Sequence, residues 1–504
     1  MKTKPALRSW LLITITAAIL LGACQSQAGV LPPVPDPASV VAGQPGDSGS
    51  AVQEAQPTAA PYTERPVYAP GELVDYLAQP GDTLPALAVR FNTSVEEIRA
   101  ANPIIPQTAT TMPPGMPMKI PIYYLPFWGS PFQIIPDSLF VNGPAQVGFN
   151  TAEFLAAQPG WLSSYTAYAA DADRSAAEIV DLVARNYSVS PRLLLALLEY
   201  QSGALTQLEA PDTALTYPIG YTLRSRQGLY LQLIWAANLL NNGYYRWRTP
   251  TLTSLEREDG RLLRFDPWQN AATVSLHNFF NVLLGDEGFD RAIASDGFAQ
   301  TYRDLFGDPS AQSQAHIPGS LEQPVFLLPF EPGNVWAYTG GPHTAWGVGE
   351  PLAALDFAPP LTTSGCQPTS EWATAVADGA VVRSETGVVV LDLDGDGDER
   401  TGWNIFYLHL ATEGRAPLGA QLKAGDPVGN PSCEGGTSTG THVHIARKYN
   451  GEWLAVEGML PFNLEGWIAH NGSQPYLGTL TRDNQTVRAC TCSSAASFIQ
   501  ADKR

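Results

Sequence analysis

The chain has 504 residues and a formal net charge of −19 at pH 7. That length accommodates roughly three domains, and the charge excludes a nucleic-acid partner, because the phosphate term that dominates such binding would be repulsive. Lys and Arg gather into no stripe, and the chain holds only five cysteines and seven histidines, so each of those is worth placing.

Lys2, Lys4 and Arg8 precede an apolar run from Trp10 to Leu21. The run is too short to span a bilayer comfortably and fits a secretory signal. It ends in Leu21-Gly22-Ala23-Cys24, which resembles the bacterial lipobox. That resemblance makes residues 1–24 a lipoprotein signal whose Cys24 is lipidated and becomes the mature N-terminus. Each buried acyl methylene contributes about 0.8 kcal/mol, so two or three chains hold a protein at a membrane surface. The working compartment is then outside the cytoplasm, where Cys366, Cys433, Cys490 and Cys492 can pair. Four cysteines allow three connectivities. Cys366 with Cys433 is favoured, since Cys490 and Cys492 would close a very tight ring. Residues 25–70 are rich in Pro, Ala, Gly, Ser and Gln and poor in aromatics; they bury too little apolar surface to offset chain entropy and read as a disordered linker.

Residues 71–125 read as a βααβ unit. A short strand reaches a Pro-Gly-Asp turn, a helix follows with Leu84, Leu87, Ala88 and Phe91 on one face, and a second helix starts with a Ser94 to Glu97 capping box. The strand Met118–Ile122 closes the unit. The stretch is similar to a LysM module in Gly81, Asp82, Thr83 and Leu84 and in Asn102 after the second helix. The resemblance implies binding of N-acetylglucosamine-containing glycans such as peptidoglycan, with Gly81, Asp82, Thr83 and Asn102 as the glycan-binding residues.

Residues 126–320 read as mainly helical. Ser175 with Glu178 forms a second candidate capping box, and Ser190-Pro191 an N-cap with Pro at the first helical position. Leu193 to Leu198 is apolar all round, as in a buried helix, which makes Glu199 at its end unusual. The segment is similar to the lysozyme-like fold of lytic transglycosylases, whose catalytic Glu directly precedes a Ser. Here Gln201 precedes Ser202. Glu199 lies about 200° away around the helix, so the module is expected to be degenerate. His277, on the apolar helix from Val274 to Phe280, reads as a core or surface residue. His316, before Pro318 in an apparent linker, and His470, in an apparent loop, have no assigned role.

From residue 321 to 485 short strands with Gly and Pro punctuation indicate an antiparallel β domain, followed by a tail over 486–504. The fold class is thus multidomain α+β. In "STGTHVHIARK" (Ser438 to Lys448) His442 and His444 stand at i and i+2 of a strand, share one face and lie about 7 Å apart along it. A catalytic zinc commonly needs three protein ligands and one open position. Upstream, "TGGPHTAWGVGEPLAALDFAPP" offers His343 and Asp356, the latter in an apolar context where a bare carboxylate is costly, and "FYLHL" offers His409. Tyr407, expected on the strand face of His409, reads as a packing residue. The acidic run Asp392 to Arg400 begins like a calcium loop, but Trp403 stands where a bidentate Glu is needed; a solvated hairpin turn is the favoured reading over bound calcium.

These elements resemble the zinc metallopeptidases of the lysostaphin and LytM type, more narrowly their β-lytic, staphylolytic branch. In the commoner branch the Asp is a few residues from its His, a position occupied here by Leu352; the β-lytic branch takes its first His from a Gly-Gly-x-His motif, matched by Gly340 to His343. The resemblance implies His343, Asp356 and His444 as ligands of a Zn²⁺ cofactor, and His409 and His442 as the unliganded catalytic pair. The expected protein is a membrane-anchored, extracytoplasmic lipoprotein and zinc endopeptidase acting on the stem or cross-link peptides of peptidoglycan. Two other readings stay open: a non-catalytic peptidoglycan-binding protein or hydrolase activator, and a dual hydrolase with transglycosylase activity in the helical domain.

Overall fold

The computed structural model describes residues 67–361, 363–491 and 494–503. The signal, Cys24, nearly all of the linker and Cys492 lie outside the described residues. Within the βααβ unit, Glu72–Leu77 (β1) pairs antiparallel with Pro117–Ile122 (β2), enclosing Leu84–Arg90 (α1) and Val95–Ala101 (α2). The Ser94 hydroxyl accepts from Glu97 N at 3.1 Å and the Glu97 carboxylate accepts from Ser94 N at 3.1 Å, so both orphan donors of the helix start are satisfied.

Of the four residues expected to touch glycan, Asp82 and Asn102 are buried, and Gly81 and Thr83 are partly buried. Asp82 is 1 % exposed and accepts from Tyr76 Oη at 2.5 Å, Gln79 N at 2.7 Å and Arg90 Nη1 at 2.7 Å. Asn102 clamps the second helix to β2, donating to Ile98 O and Lys119 O and accepting from Lys119 N. Thr83 caps α1, and a Cβ at Gly81 would lie 2.6 Å from Arg248 of the neighbouring helical region. Burial and mutual hydrogen bonding make Asp82 and Asn102 parts of the fold, and Gly81 part of its seat on the rest of the chain.

The helical region is built on Ala176–Tyr187 (α3), Pro191–Ser202 (α4), Leu229–Arg248 (α5) and Ala271–Leu283 (α6), with shorter helices and two hairpins around them. Ser175 and Ser190 cap α3 and α4 as their sequence suggests. Leu193 to Leu198 are each fully buried. The Glu199 carboxylate is spent on the turn that follows, accepting from Leu205 N at 2.7 Å, Thr206 N at 3.2 Å and Thr206 Oγ1 at 2.5 Å. It caps the stretch of chain that follows the helix. His277 sits in the core between Phe265 and Phe289, and burial together with Arg257 pushes it down to about 3, so it is neutral.

The last region is one nine-stranded antiparallel sheet with smaller sheets beside it. Its main strands are Val335–Thr344 (β3), Leu352–Ala358 (β4), Gly379–Glu385 (β5), Gly387–Asp392 (β6), Trp403–Leu410 (β7), Val443–Tyr449 (β8) and Phe498–Gln500 (β9). Across the sheet they run β5, β6, β7, β8, β4, β3, β9. The stretch expected as a tail belongs to the domain: Gln485–Arg488 extends a four-stranded sheet and β9 forms an edge strand on β3. His470 is likewise on a strand, Trp467–Asn471, and bonds Thr481 Oγ1 at 2.7 Å. Strand alternation gives the large sheet two apolar faces. Val389, Leu391, Ile405 and Tyr407 enter a core of the sheet region alone. Val388, Val390, Phe406, Leu408 and Ala446 face the other way and share one core with α3 to α6.

A buried polar network crosses that shared boundary. Glu452 accepts from Tyr244 Oη at 2.7 Å and from Arg248 Nη2 at 3.0 Å, and pairs with His316 Nε2 at 2.8 Å. Arg248 also reaches Asp137 at 3.2 Å and donates to Pro80 O at 2.5 Å, so a single guanidinium touches all three regions. His316, read from sequence as a linker residue, is 1 % exposed because the linker is packed through this network. Burial by itself would raise the Glu452 carboxyl, but Arg248, His316 and Tyr244 hold it down at about 2. Glu452 therefore contributes stability that is complete above the ordinary glutamate value of 4.5 and is lost as pH falls toward about 2. Glu452→Gln should lower stability at pH 7 by about 3 kcal/mol or more, with the gap to the parent narrowing below pH 4.5; thermal unfolding across that range checks both.

Candidate metal centre

In the register of β4 on β8, Asp356 stands opposite His444, and in that of β3 on β4, His343 stands opposite Ala354. Opposite residues share a face, so all three side chains project on the face that meets the helices. The register of β3 shifts on both sides of Gly340 and His343, and such bulges re-aim side chains. Gly340 is required there, since a Cβ would collide with the Asp356 carboxylate. That is the physical content of the Gly-Gly-x-His motif.

His343 Nε2 is 2.9 Å from His444 Nδ1 and 3.2 Å from Asp356 Oδ1, and His444 Nδ1 is 3.2 Å from the same oxygen. The second nitrogen of each ring is tied to backbone: His343 Nδ1 lies 2.8 Å from Gly341 O and His444 Nε2 3.0 Å from Ala345 O. A carbonyl only accepts, so each of those nitrogens carries the proton and each facing nitrogen presents a lone pair. Asp356 Oδ1 is buried and accepts no hydrogen bond. Three buried donors aimed at one another, two imidazoles and a carboxylate, are costly together and fit a divalent cation such as zinc, with a fourth side free.

His442 Nε2 is 3.6 Å from Asp356 Oδ1, and the His442 ring centroid is 4.6 Å from that of His409. The His409 side chain reaches this face through an unusual backbone. Plain alternation would send it with Tyr407 to the opposite core, but His409 has φ +63°, a left-handed residue within β7 that turns its side chain to the metal side. Tyr407 is accordingly not on the face of His409; its hydroxyl accepts from Val376 N at 2.9 Å within the other core. His409 Nδ1 is held by Glu434 O at 2.9 Å and His442 Nδ1 by Gly440 O at 2.8 Å, so both rings offer Nε2 to the cleft. The Cys366–Cys433 disulfide ties two cleft loops together, one of them carrying Glu434.

The cleft has a volume of about 1070 Å³ and includes His343, Asp356, His409, His442 and His444 in its lining. Two further elements were not legible in the sequence. Tyr476 stacks on His343 at 4.2 Å and 21° and is 47 % exposed; nothing in its local sequence sets it apart. The wall over 345–350 is held by α5, where Asn238 Oδ1 accepts from Val348 N at 2.8 Å and Asn242 Oδ1 from Glu350 N at 2.7 Å.

Parts of the chain are similar to known proteins. Residues 76–121 match the LysM domain and residues 133–318 the LasA N-terminal domain, so the helical region has a LasA counterpart where a lysozyme-like one was expected. The chain is 27 % identical over 340 residues to Protease LasA of Pseudomonas aeruginosa, covering 64 % of this chain and 75 % of that protein. It is 28 % identical over 142 residues to the beta-lytic metalloendopeptidase of Lysobacter enzymogenes, covering 27 % of this chain and 74 % of that protein. Among solved structures, the M23 metalloprotease pseudoalterin aligns at a TM-score of 0.29 and 22 % identity, over 33 % of this chain and 96 % of that one. The chain is thus similar to Protease LasA and to beta-lytic metalloendopeptidases, and a separate stretch of it matches the LysM domain. Full-length protein stripped of metal and reloaded should hold one zinc per chain by elemental analysis, and His343→Ala or His444→Ala should lower its zinc affinity about tenfold or more.

Proposed function

We propose that this chain is a zinc metalloendopeptidase that cuts the stem or cross-link peptides of peptidoglycan. The observation that carries the reading is the convergence of His343, Asp356 and His444 on one point, with the free nitrogens of His409 and His442 beside it in a single cleft. Zinc held by the first three supplies Lewis acidity, polarising a scissile carbonyl and lowering the pKa of water toward about 7.

The protein's own groups do the rest. His409 Nε2 and His442 Nε2 carry lone pairs because their Nδ1 protons are engaged by Glu434 O and Gly440 O. Burial, with His442 and His444 nearby, pushes His409 down to about 3, which keeps the ring neutral with its Nε2 lone pair free. Once protonated, either ring can pass the proton to the leaving amine or donate to the developing oxyanion. The rim over 435–441 consists only of Gly, Thr and Ser, a surface of backbone and hydroxyl groups that suits a peptide of small residues such as glycine or alanine.

The LysM module adds a second attachment to the same polymer and raises the local concentration of substrate at the cleft. The lipobox-like Cys24 supports an extracytoplasmic, lipid-anchored location; among the described residues no helix is long and apolar enough to cross a membrane. His409→Ala and His442→Ala should each keep bound zinc while lowering release of new amino termini from purified peptidoglycan about a hundredfold or more; a loss below tenfold would remove these residues from the mechanism. In a bacterial host, Cys24→Ser should move the protein from the membrane to the soluble fraction, and unchanged membrane association would overturn the anchor.

A further inference from the structure

The turn from β6 to β7 carries Asp392, Asp394, Asp396, Asp398 and Glu399. The last two have cations: Arg400 pairs with Asp398 at 2.6 Å, and Lys448 and Arg383 with Glu399 at 3.0 and 3.1 Å. Among the described residues no Lys or Arg pairs with the first three, although an oxygen from each lies within 4.8 Å of the others. Asp392 is 0 % exposed, and its oxygens accept only from the backbone of the turn, from Asp394 N, Gly395 N and Gly397 N. Burial and the adjacent Asp392 raise the Asp394 carboxyl, as expected where like charges crowd without a counterion.

The independent observation is Asn404. It is 0 % exposed, its Nδ2 donates to Thr401 O at 2.7 Å, and its Oδ1 is buried with no partner. The β6–β7 register places Asn404 directly opposite Asp392, so the two side chains share a face. Trp403, the twelfth residue of the loop counted from Asp392, faces the other way and packs on Phe326 at 6.2 Å. A calcium loop of this length needs an oxygen ligand at its end, and the strand supplies one a residue later. An amide oxygen is a hard donor of the kind that calcium takes alongside carboxylates.

We propose that Asp392, Asp394, Asp396 and Asn404 form a calcium site, distinct from the zinc centre. Three carboxylates and a neutral amide, without the bidentate Glu, place its affinity at the weak end of the known range, with a Kd of about 10⁻⁴ to 10⁻³ M, as in extracellular modules. Bound calcium pins the start of β7, whose far end carries His409. It also fixes a turn that docks on the helical region through Arg400 Nη1 and Gln146 O at 2.9 Å.

The test uses the full-length chain, stripped of metals on a chelating resin and reloaded with one zinc. Titration with CaCl₂ to about 10 mM, followed by thermal unfolding and calorimetry, should raise Tm and show one saturable site, with a smaller Tm rise from MgCl₂ at the same concentration. Asp394→Asn and Asp396→Asn, both on the exposed side of the turn, should weaken calcium binding tenfold or more while zinc content stays at one. The proposal is overturned if calcium changes neither readout, if magnesium acts equally well, or if either variant binds calcium as the parent does.

Discussion

The catalytic face rests on one register, that of Asp356 opposite His444 between β4 and β8. Because side chains alternate, a slip of one residue would send His442 and His444 to the opposite core and leave Asp356 alone among apolar groups. The register is secured from both sides. Leu355 and Ile445, paired with each other, enter one core, and Ala354 and Ala446, paired likewise, enter the other. The proposed metal ligands Asp356 and His444 are thereby placed by apolar packing before any ion is considered.

Strand β7 departs from that regularity at one point, and the departure brings His409 to the face of the proposed metal site. Ile405 and Tyr407 serve one core, Phe406 and Leu408 the other, and His409 breaks the alternation with its left-handed backbone. A non-glycine residue in that conformation costs roughly 1–2 kcal/mol. The surrounding ladder holds it, with His409 O accepting from Ser432 N at 2.6 Å and the ring fixed by Glu434 O. Strain held at an active site in this way orients a group that regular geometry would have hidden.

The face that carries the site also carries the helical region, so the two are one packing unit. Phe406 and Trp453 lie in the same core as α3 to α6, and the network of Arg248, Glu452, His316 and Asp137 seals its edge. The helices consequently shape the cleft: α5 holds the wall over 345–350 through two asparagines, and Gly347 and Gly349 permit the approach. The LysM turn sits against the same Arg248. A chain that reads as modules on a string is joined through a few desolvated polar side chains whose removal would leave charges unpaired in the interior.

Much of this was legible in the chain itself, and the reason is local. Capping boxes at Ser94 and Ser175, the buried helix after Ser190 and the alternation around His442 and His444 involve residues within a few positions of one another, where backbone stereochemistry and side-chain reach decide the outcome. The LysM match likewise identified a fold, because Asp82 and Asn102 are residues that this fold needs internally. What only tertiary structure decided depends on contacts between distant segments. His316 became a buried partner of Glu452, Tyr476 came to lie on His343, the last strand closed the sheet, and His409 changed faces. Periodicity assigns a side chain to one of two faces of a strand; what lies opposite, and whether the backbone breaks step to reach it, is set by packing energy between elements far apart in the chain.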